Sequence, residues 1–176
     1  ASWPQSLSPG NEQRDFWGSQ AADRPGSRNL IGIKNPSVDA LIENGLRERV
    51  RVIAAGKLVT SARAAWALSA GADFVNTARG FMFALGCIQA LRCHANTCPA
   101  GVTTHNPRLQ RGLVVADKAQ RVASYCRNMN KEIDMIAHSC GLYQAREFRR
   151  EHVRIVQGFG QSIAAHMLYP YPAAPA

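Results

Sequence analysis

The sequence predicts an α/β fold in which parallel strands alternate with helices. Two short runs with strand character, residues 50–54 and 73–76, are each followed by a turn and then by a helical pattern. Successive strands with a helix between them pair in parallel, because the crossover returns the chain to the same end of the sheet. With 176 residues, the chain is long enough to bury one core.

The order of the elements follows from caps and breakers. A helix over residues 38–45 is expected to end at Gly45, which is a typical C-terminal stop. An alanine-rich helix is expected to begin with Thr60 or Ser61 as its cap and to end at Gly71. A shorter helix is predicted over residues 81–91.

A long helix is predicted from Asp117 to about Cys140, since apolar residues advance by alternating steps of three and four. This pattern places Cys126 and Cys140 on the packing face and predicts that both are core thiols. The members of the stripe are Ala119, Val122, Cys126, Met129, Ile133, Ile136 and Cys140.

The two ends of the chain differ from this middle part. Residues 1–36 are dominated by small and polar residues without any period, which predicts an irregular or disordered leader. Residues 158–176 end in a proline-rich segment that cannot continue a helix, which predicts a tail. The folded domain is therefore expected to span residues 37–157.

Composition excludes several functional classes. The formal net charge is +9, but the arginines are spread along the chain, so no nucleic-acid partner is expected. The most apolar stretch, residues 74–91, contains polar and charged residues that would be costly in lipid, so no membrane association is expected. Five cysteines without a secretory signal favour a cytoplasmic location.

Three closely spaced cysteines, Cys87, Cys93 and Cys98, have the character of a ligand set. Thiolates select zinc or iron–sulfur clusters, and three sulfur ligands suit a cluster of three irons. A structural zinc site completed by His94 or His105 is an alternative, as are buried structural thiols. Spacing alone leaves iron–sulfur and zinc open.

Two loops of similar character follow the two predicted strands. Gly56 and Lys57 follow the first strand, and Arg79 and Gly80 follow the second. Glycine allows backbone N–H groups to approach an anion closely, and the cations add charge. In (β/α)8 barrels a phosphate commonly lies between the loops after strands seven and eight and a short extra helix.

The chain resembles the C-terminal part of the FMN-binding domain of glutamate synthase. It resembles more closely the shorter FMN-binding glutamate synthase family proteins. The resemblance lies in residues 45–57, 71–80, 86–102 and 109–113.

The resemblance implies the C-terminal portion of a (β/α)8 TIM barrel that is truncated here, since such a barrel needs about 250 residues. It implies FMN at the mouth of the barrel and a [3Fe-4S] cluster beside it. The implied cluster ligands are Cys87, Cys93 and Cys98. The positions implied to surround the FMN phosphate are Gly56, Lys57, Thr77, Ala78, Arg79 and Gly80.

The implied activity is that of an oxidoreductase that makes L-glutamate by reducing 2-iminoglutarate, formed from 2-oxoglutarate and ammonia. NADPH or ferredoxin is the implied electron donor. Catalytic residues are not assigned, because residues 1–36 have no counterpart of the family segment that carries the catalytic acid. The alternative is a non-catalytic barrel fragment, or a subunit that depends on an oligomer or a complementing partner.

Overall fold

The computed structural model describes residues 36–175. The predicted leader, residues 1–36, therefore lies outside the described residues except for Pro36. The helices are α1 (Pro36–Glu43), α2 (Ser61–Ser69), α3 (Ala78–Ala84), α4 (Pro107–Gln110), α5 (Val115–Ser139) and α6 (Ala165–Leu168). The strands are β1 (Ile53–Ala55), β2 (Phe74–Asn76), β3 (Arg154–Val156) and β4 (Ser162–Ala164).

β1 and β2 pair in parallel, with Ala54 opposite Val75 and α2 as the crossover between them. This arrangement confirms the predicted α/β class. The described residues do not form a closed barrel, since β1–β2 and β3–β4 are separate two-stranded sheets. The (β/α)8 architecture stays a prediction.

The caps of α2 are those expected from the sequence. The Thr60 side chain accepts a hydrogen bond from the backbone N–H of Arg63, which satisfies one of the free donors of the first turn. After the helix, Gly71 has a φ of +101°, and a Cβ there would lie 2.9 Å from Val38 Cγ1. Glycine is needed at this position both for its conformation and for the contact with α1.

The largest part of the core lies between α2 and α5. Ala64 and Ala65 on α2 pack against Met129 and Ile133 on α5, and Phe148 closes the cluster. Alanine side chains let the two helix axes approach closely, while the larger side chains of α5 fill the remaining space. The position of α5 over the crossover helix follows from this contact.

The prediction that Cys126 and Cys140 are core thiols is wrong, because both are exposed. The buried positions of α5 are Met129, Ile133 and Ala137, which advance in steps of four. A short partner such as α2 contacts one i+4 row of a long helix rather than the whole alternating stripe. Cys126 lies beside this row, and Cys140 lies just past the end of the helix.

Residues 158–176, predicted as an irregular tail, contain regular structure. β4 pairs antiparallel with β3, with Ile155 opposite Ile163, and α6 follows directly. The sequence analysis predicted neither of these strands, each of which has three residues.

The last residues are also held by the protein. The fully buried Arg150 guanidinium donates hydrogen bonds to the carbonyls of Tyr169 and Pro170, at 3.1 and 3.2 Å, and lies 4.4 Å from the centroid of the Tyr171 ring. The same guanidinium donates to the buried carboxylate of Asp39 on α1. One arginine therefore joins the end of the described chain to its first helix.

Asp73 links the entry of β2 to the entry of β1. Its carboxylate accepts hydrogen bonds from the Val52 backbone N–H at 2.7 Å and pairs with Arg47 at 3.0 Å. Burial raises the pKa of Asp73, but the bonds from Arg47 and Val52 and the charge of Arg47 outweigh it. The pKa of this carboxyl therefore lies below its ordinary value.

We expect Asp73→Asn to lower the free energy of unfolding at pH 7 by about 1.5–3 kcal/mol, because hydrogen bonds to a charged group are lost. A lowered pKa stabilises the fold above the ordinary pKa of aspartate, and this contribution is lost as the pH falls through the folded-state pKa. The difference between wild type and variant should therefore shrink below about pH 4. Urea denaturation from pH 7 to 3 measures it, with Asp134→Asn on the exposed side of α5 as control. If the difference in free energy of unfolding between wild type and Asp73→Asn did not change with pH, the charge of Asp73 would not be what stabilises the fold.

Within the part of the chain that the structure describes, no helix combines the length and the apolar character needed to cross a bilayer.

Candidate functional site

A cavity of about 550 Å³ lies at the carboxyl ends of β1 and β2. The loops after both strands line it, as the pairing of two parallel strands requires. The predicted site residues that line this cavity are Gly56, Lys57, Thr77, Ala78, Arg79, Cys87 and Cys93. Gly80 and Cys98 are not among the residues that line it.

The loop after β1 is tightly turned. Gly56 has a φ of +125° and Lys57 a φ of +45°, so two successive residues adopt left-handed conformations. The Lys57 carbonyl accepts hydrogen bonds from the Val59 N–H at 2.9 Å and from the Arg63 side chain at 3.3 Å. These bonds hold the turn that places Gly56 and Lys57 on the wall of the cavity.

The loop after β2 is shorter than the sequence predicted. The helix predicted over residues 81–91 is observed as α3, which begins at Ala78 and ends at Ala84. Thr77 is its N-cap residue, so Arg79 lies in the first turn of the helix and not in a loop. Gly86, with a φ of +100°, follows the helix and turns the chain away from the helical path before the cysteines.

Gly80 serves packing in this structure. It is buried, and a Cβ at this position would lie 1.9 Å from the hydroxyl oxygen of Tyr125 on α5. The absence of a side chain therefore lets α3 lie close to α5. The cofactor contact expected at Gly80 stays a prediction.

The cations at the cavity differ in exposure. Lys57 is half-buried and Arg79 is exposed. Among the described residues, no carboxylate forms a salt bridge with Arg79, so its charge is available at the rim of the cavity. A positively lined pocket of this kind suits an anionic group such as a phosphate.

The segment between Cys87 and Cys98 contains one short 3-10 helix, Cys93–Ala95, and is otherwise irregular. Gln89, Leu91 and Asn96 have φ values between +54° and +57°, a conformation that costs non-glycine residues about 1 kcal/mol each. Such conformations persist where surrounding contacts or a ligand impose them. Asn96 is the one of the three that tolerates this conformation best, because its side chain forms local hydrogen bonds.

Asn96 and Thr104 close the loop that carries Cys98. The Asn96 side-chain oxygen accepts a hydrogen bond from the His105 N–H at 2.6 Å, and the buried Thr104 hydroxyl donates to the Asn96 carbonyl at 2.7 Å. Gly101 packs closely against α4, since a Cβ there would lie 2.5 Å from the Leu109 carbonyl oxygen.

This loop changes the acidity of Cys98. The Thr103 backbone N–H, first, and the backbone N–H groups of Val102 and Ala100 outweigh desolvation and lower the pKa of the Cys98 thiol to about 7. The lowered pKa favours the thiolate at neutral pH. The thiolate is the form that binds metals.

The three cysteines are all possible thiolate ligands, but their side chains do not converge on one point among the described residues. Cys93 is exposed, and Cys87 and Cys98 are half-buried. In residues 36–175, no group of three Cys, His, Asp or Glu side chains lies close enough to hold a metal ion. A zinc site that includes His94 or His105 is therefore not formed there either. The donor set fits an iron–sulfur cluster by its chemistry, and cluster ligation stays a prediction.

Tyr125 is a site residue that the sequence analysis did not identify. Its hydroxyl donates a hydrogen bond to the Val59 carbonyl at 2.9 Å and lies 3.2 Å from the Thr77 hydroxyl. It therefore contacts the loops after both strands. The pattern that could have indicated it is the i+4 row of α5, in which Tyr125 precedes Met129 by four residues.

Comparison with known proteins agrees with the resemblance. A protein-family model described as a conserved region in glutamate synthase matches residues 19–143. The glutamate synthase large subunit-like protein YerD of Bacillus subtilis (strain 168) is 47% identical over 119 residues, which are 67% of this chain and 23% of the relative. The archaeal glutamate synthase (NADPH) of Methanocaldococcus jannaschii is 32% identical over 115 residues, 65% of this chain and 22% of the relative.

A shorter similarity concerns a protein of another kind. The probable peptide-binding protein YejA of Agrobacterium fabrum is 72% identical over 40 residues, 23% of this chain and 6% of the relative. The chain spans less than a quarter of the length of these three relatives. No solved structure matches it. Because the family model covers more than half of its residues, the chain belongs to the glutamate synthase family.

Proposed function

We propose that this chain contributes the flavin-phosphate and iron–sulfur binding elements of a glutamate synthase-type oxidoreductase, with FMN and a [3Fe-4S] cluster as cofactors. The observation that carries the proposal is the cavity at the ends of β1 and β2. It brings Lys57 and Arg79, from two different loops, together with Cys87 and Cys93.

The phosphate end of FMN is assigned to the two loops. A phosphate monoester carries close to two negative charges at neutral pH, and Lys57 and Arg79 offer two positive charges at one cavity. Gly56 keeps the wall free of a side chain, so backbone N–H groups can approach the phosphate oxygens. The residues present therefore fit this part of the cofactor.

The cluster is assigned to Cys87, Cys93 and Cys98. The first two line the cavity, so a cluster held there would lie beside the flavin. The thiolate of Cys98, favoured by its lowered pKa, would complete a set of three sulfur ligands.

The proposed reaction is the reduction of 2-iminoglutarate to L-glutamate, with 2-oxoglutarate and ammonia as precursors. Bound FMN would supply the hydride for this step. The archaeal relative carries NADPH in its name, and we propose NADPH or ferredoxin as the electron source here. The role of the described residues is to hold and neutralise the cofactors.

The test is anaerobic reconstitution of the chain with FMN, iron and sulfide, followed by an assay of glutamate formed from 2-oxoglutarate and ammonia with reduced viologen. We expect FMN to remain bound through gel filtration and glutamate to form only in its presence. Failure to retain FMN would contradict the assigned site. Retention of FMN without glutamate formation would contradict the assigned reaction.

Lys57→Ala is expected to weaken FMN binding about 10–100-fold, because one charged contact to the phosphate is lost. Binding of riboflavin, which has no phosphate, should be unchanged. Flavin fluorescence titration measures both, with Lys131→Ala on the exposed face of α5 as the matched control. If Lys57→Ala weakened the binding of FMN and of riboflavin equally, Lys57 would not contact the phosphate.

A further inference from the structure

Tyr125 of α5 contacts the loops after both β1 and β2. Its hydroxyl is 2.9 Å from the Val59 carbonyl, in the first loop, and 3.2 Å from the hydroxyl of Thr77, the N-cap residue of α3 in the second loop. These residues are 66 and 48 positions away in the sequence, so a single side chain joins two distant segments.

The direction of the hydrogen bonds follows from counting protons. A tyrosine hydroxyl has one hydrogen, and the Val59 carbonyl can only accept, so Tyr125 donates to Val59. The Thr77 hydroxyl therefore donates to the Tyr125 oxygen. Thr77 is buried, and removal of its acceptor would leave a buried donor without a partner, which is costly.

The ring of Tyr125 is fixed from the side of α3. It packs edge-to-face on Phe81, with 5.4 Å between ring centroids. Gly80 leaves the space that the hydroxyl occupies, since a Cβ there would lie 1.9 Å from the hydroxyl oxygen. The hydroxyl is thus held at one position relative to both loops.

We propose that Tyr125 is a positioning residue that fixes the two cation-bearing loops relative to each other, and so sets the distance between Lys57 and Arg79 at the anion cavity. Lys57 precedes Val59 by two residues, and Arg79 follows Thr77 by two. The inference rests on the proposed function for its ligand, a phosphate-bearing flavin. The link between the loops does not depend on that ligand.

The experiment compares the full chain with Tyr125→Phe, which keeps the ring and its contact with Phe81. Hydrogen exchange of the ligand-free protein is expected to become roughly five- to tenfold faster in residues 56–59 and 77–79 together, while α5 beyond Met129 is unchanged. Tyr143→Phe, at an exposed tyrosine, is the matched control and should change neither loop. Unchanged exchange in either loop, or faster exchange throughout the chain, would overturn the proposal.

Flavin titration gives the second readout. Tyr125→Phe should weaken FMN binding by about tenfold and leave riboflavin binding within about twofold, since only the phosphate depends on both loops. Gly80→Ala, which displaces the hydroxyl, should give the same pattern. If the substitution weakened the binding of FMN and of riboflavin equally, Tyr125 would have a merely structural role, and the proposal would be overturned. A wild-type chain that does not prefer FMN would contradict the proposed function, while the exchange experiment still decides the role of Tyr125.

Discussion

Arg150→Met is expected to lower the free energy of unfolding by about 3–5 kcal/mol, because removal of one partner from a buried ion pair leaves the other charge without compensation. Arg150 is fully buried and Asp39 is 6% exposed. The substitution also removes the hydrogen bonds to the carbonyls of Tyr169 and Pro170. A loss of this size is a large fraction of the stability of a typical domain.

Urea denaturation followed by circular dichroism measures the effect. Arg149→Met is the matched control, since the Arg149 side chain is exposed and donates to the carbonyls of Arg146 and Phe148 close by in the chain. The control should change the free energy of unfolding by only about 0.5 kcal/mol. The double variant Asp39→Asn with Arg150→Met should lose less than the sum of the single variants. A loss below 1 kcal/mol for Arg150→Met, about the size expected of a surface substitution, would contradict the role of the buried pair.

Cys93→Ser is expected to abolish iron binding. A cluster of three irons needs all three cysteine ligands, and the variant supplies only two. Wild type reconstituted anaerobically should hold about three irons per chain and show a brown chromophore. The same loss is expected for Cys87→Ser and Cys98→Ser. Iron and zinc analysis of the purified protein, with absorption spectra, measures the result.

Cys126→Ser is the matched control, since Cys126 is an exposed thiol outside the proposed set. It should retain the full iron content. Stoichiometric zinc without visible absorbance in wild type would favour the zinc alternative, and retained iron in Cys93→Ser would remove Cys93 from the ligand set. Either result would contradict the assignment of the cluster.

The parts of the fold that the sequence predicts best are those decided by local chemistry. Thr60 caps α2 because its side chain bonds to a neighbouring N–H, and this interaction depends on residues three positions apart. The parallel pairing of β1 and β2 likewise follows from one helix between two strands. The cavity at their carboxyl ends, with Lys57 and Arg79, follows from that pairing.

The remaining features depend on contacts between distant residues. Asp39 and Arg150 are 111 positions apart, and no local pattern relates them. Cys126 fits the apolar period of α5, yet the contact with α2 selects a neighbouring row of residues. Tyr125 could be placed at the site only once the packing of α3 against α5 was known.

The most direct measurement is a calorimetric titration of the wild-type chain with FMN and with riboflavin under the same conditions. Two cationic contacts to the phosphate predict that FMN binds roughly 100-fold more tightly than riboflavin, and that added inorganic phosphate reduces this difference. Equal affinities for the two flavins, unaffected by phosphate, would show that the cavity between the β1 and β2 loops does not hold the phosphate of a flavin.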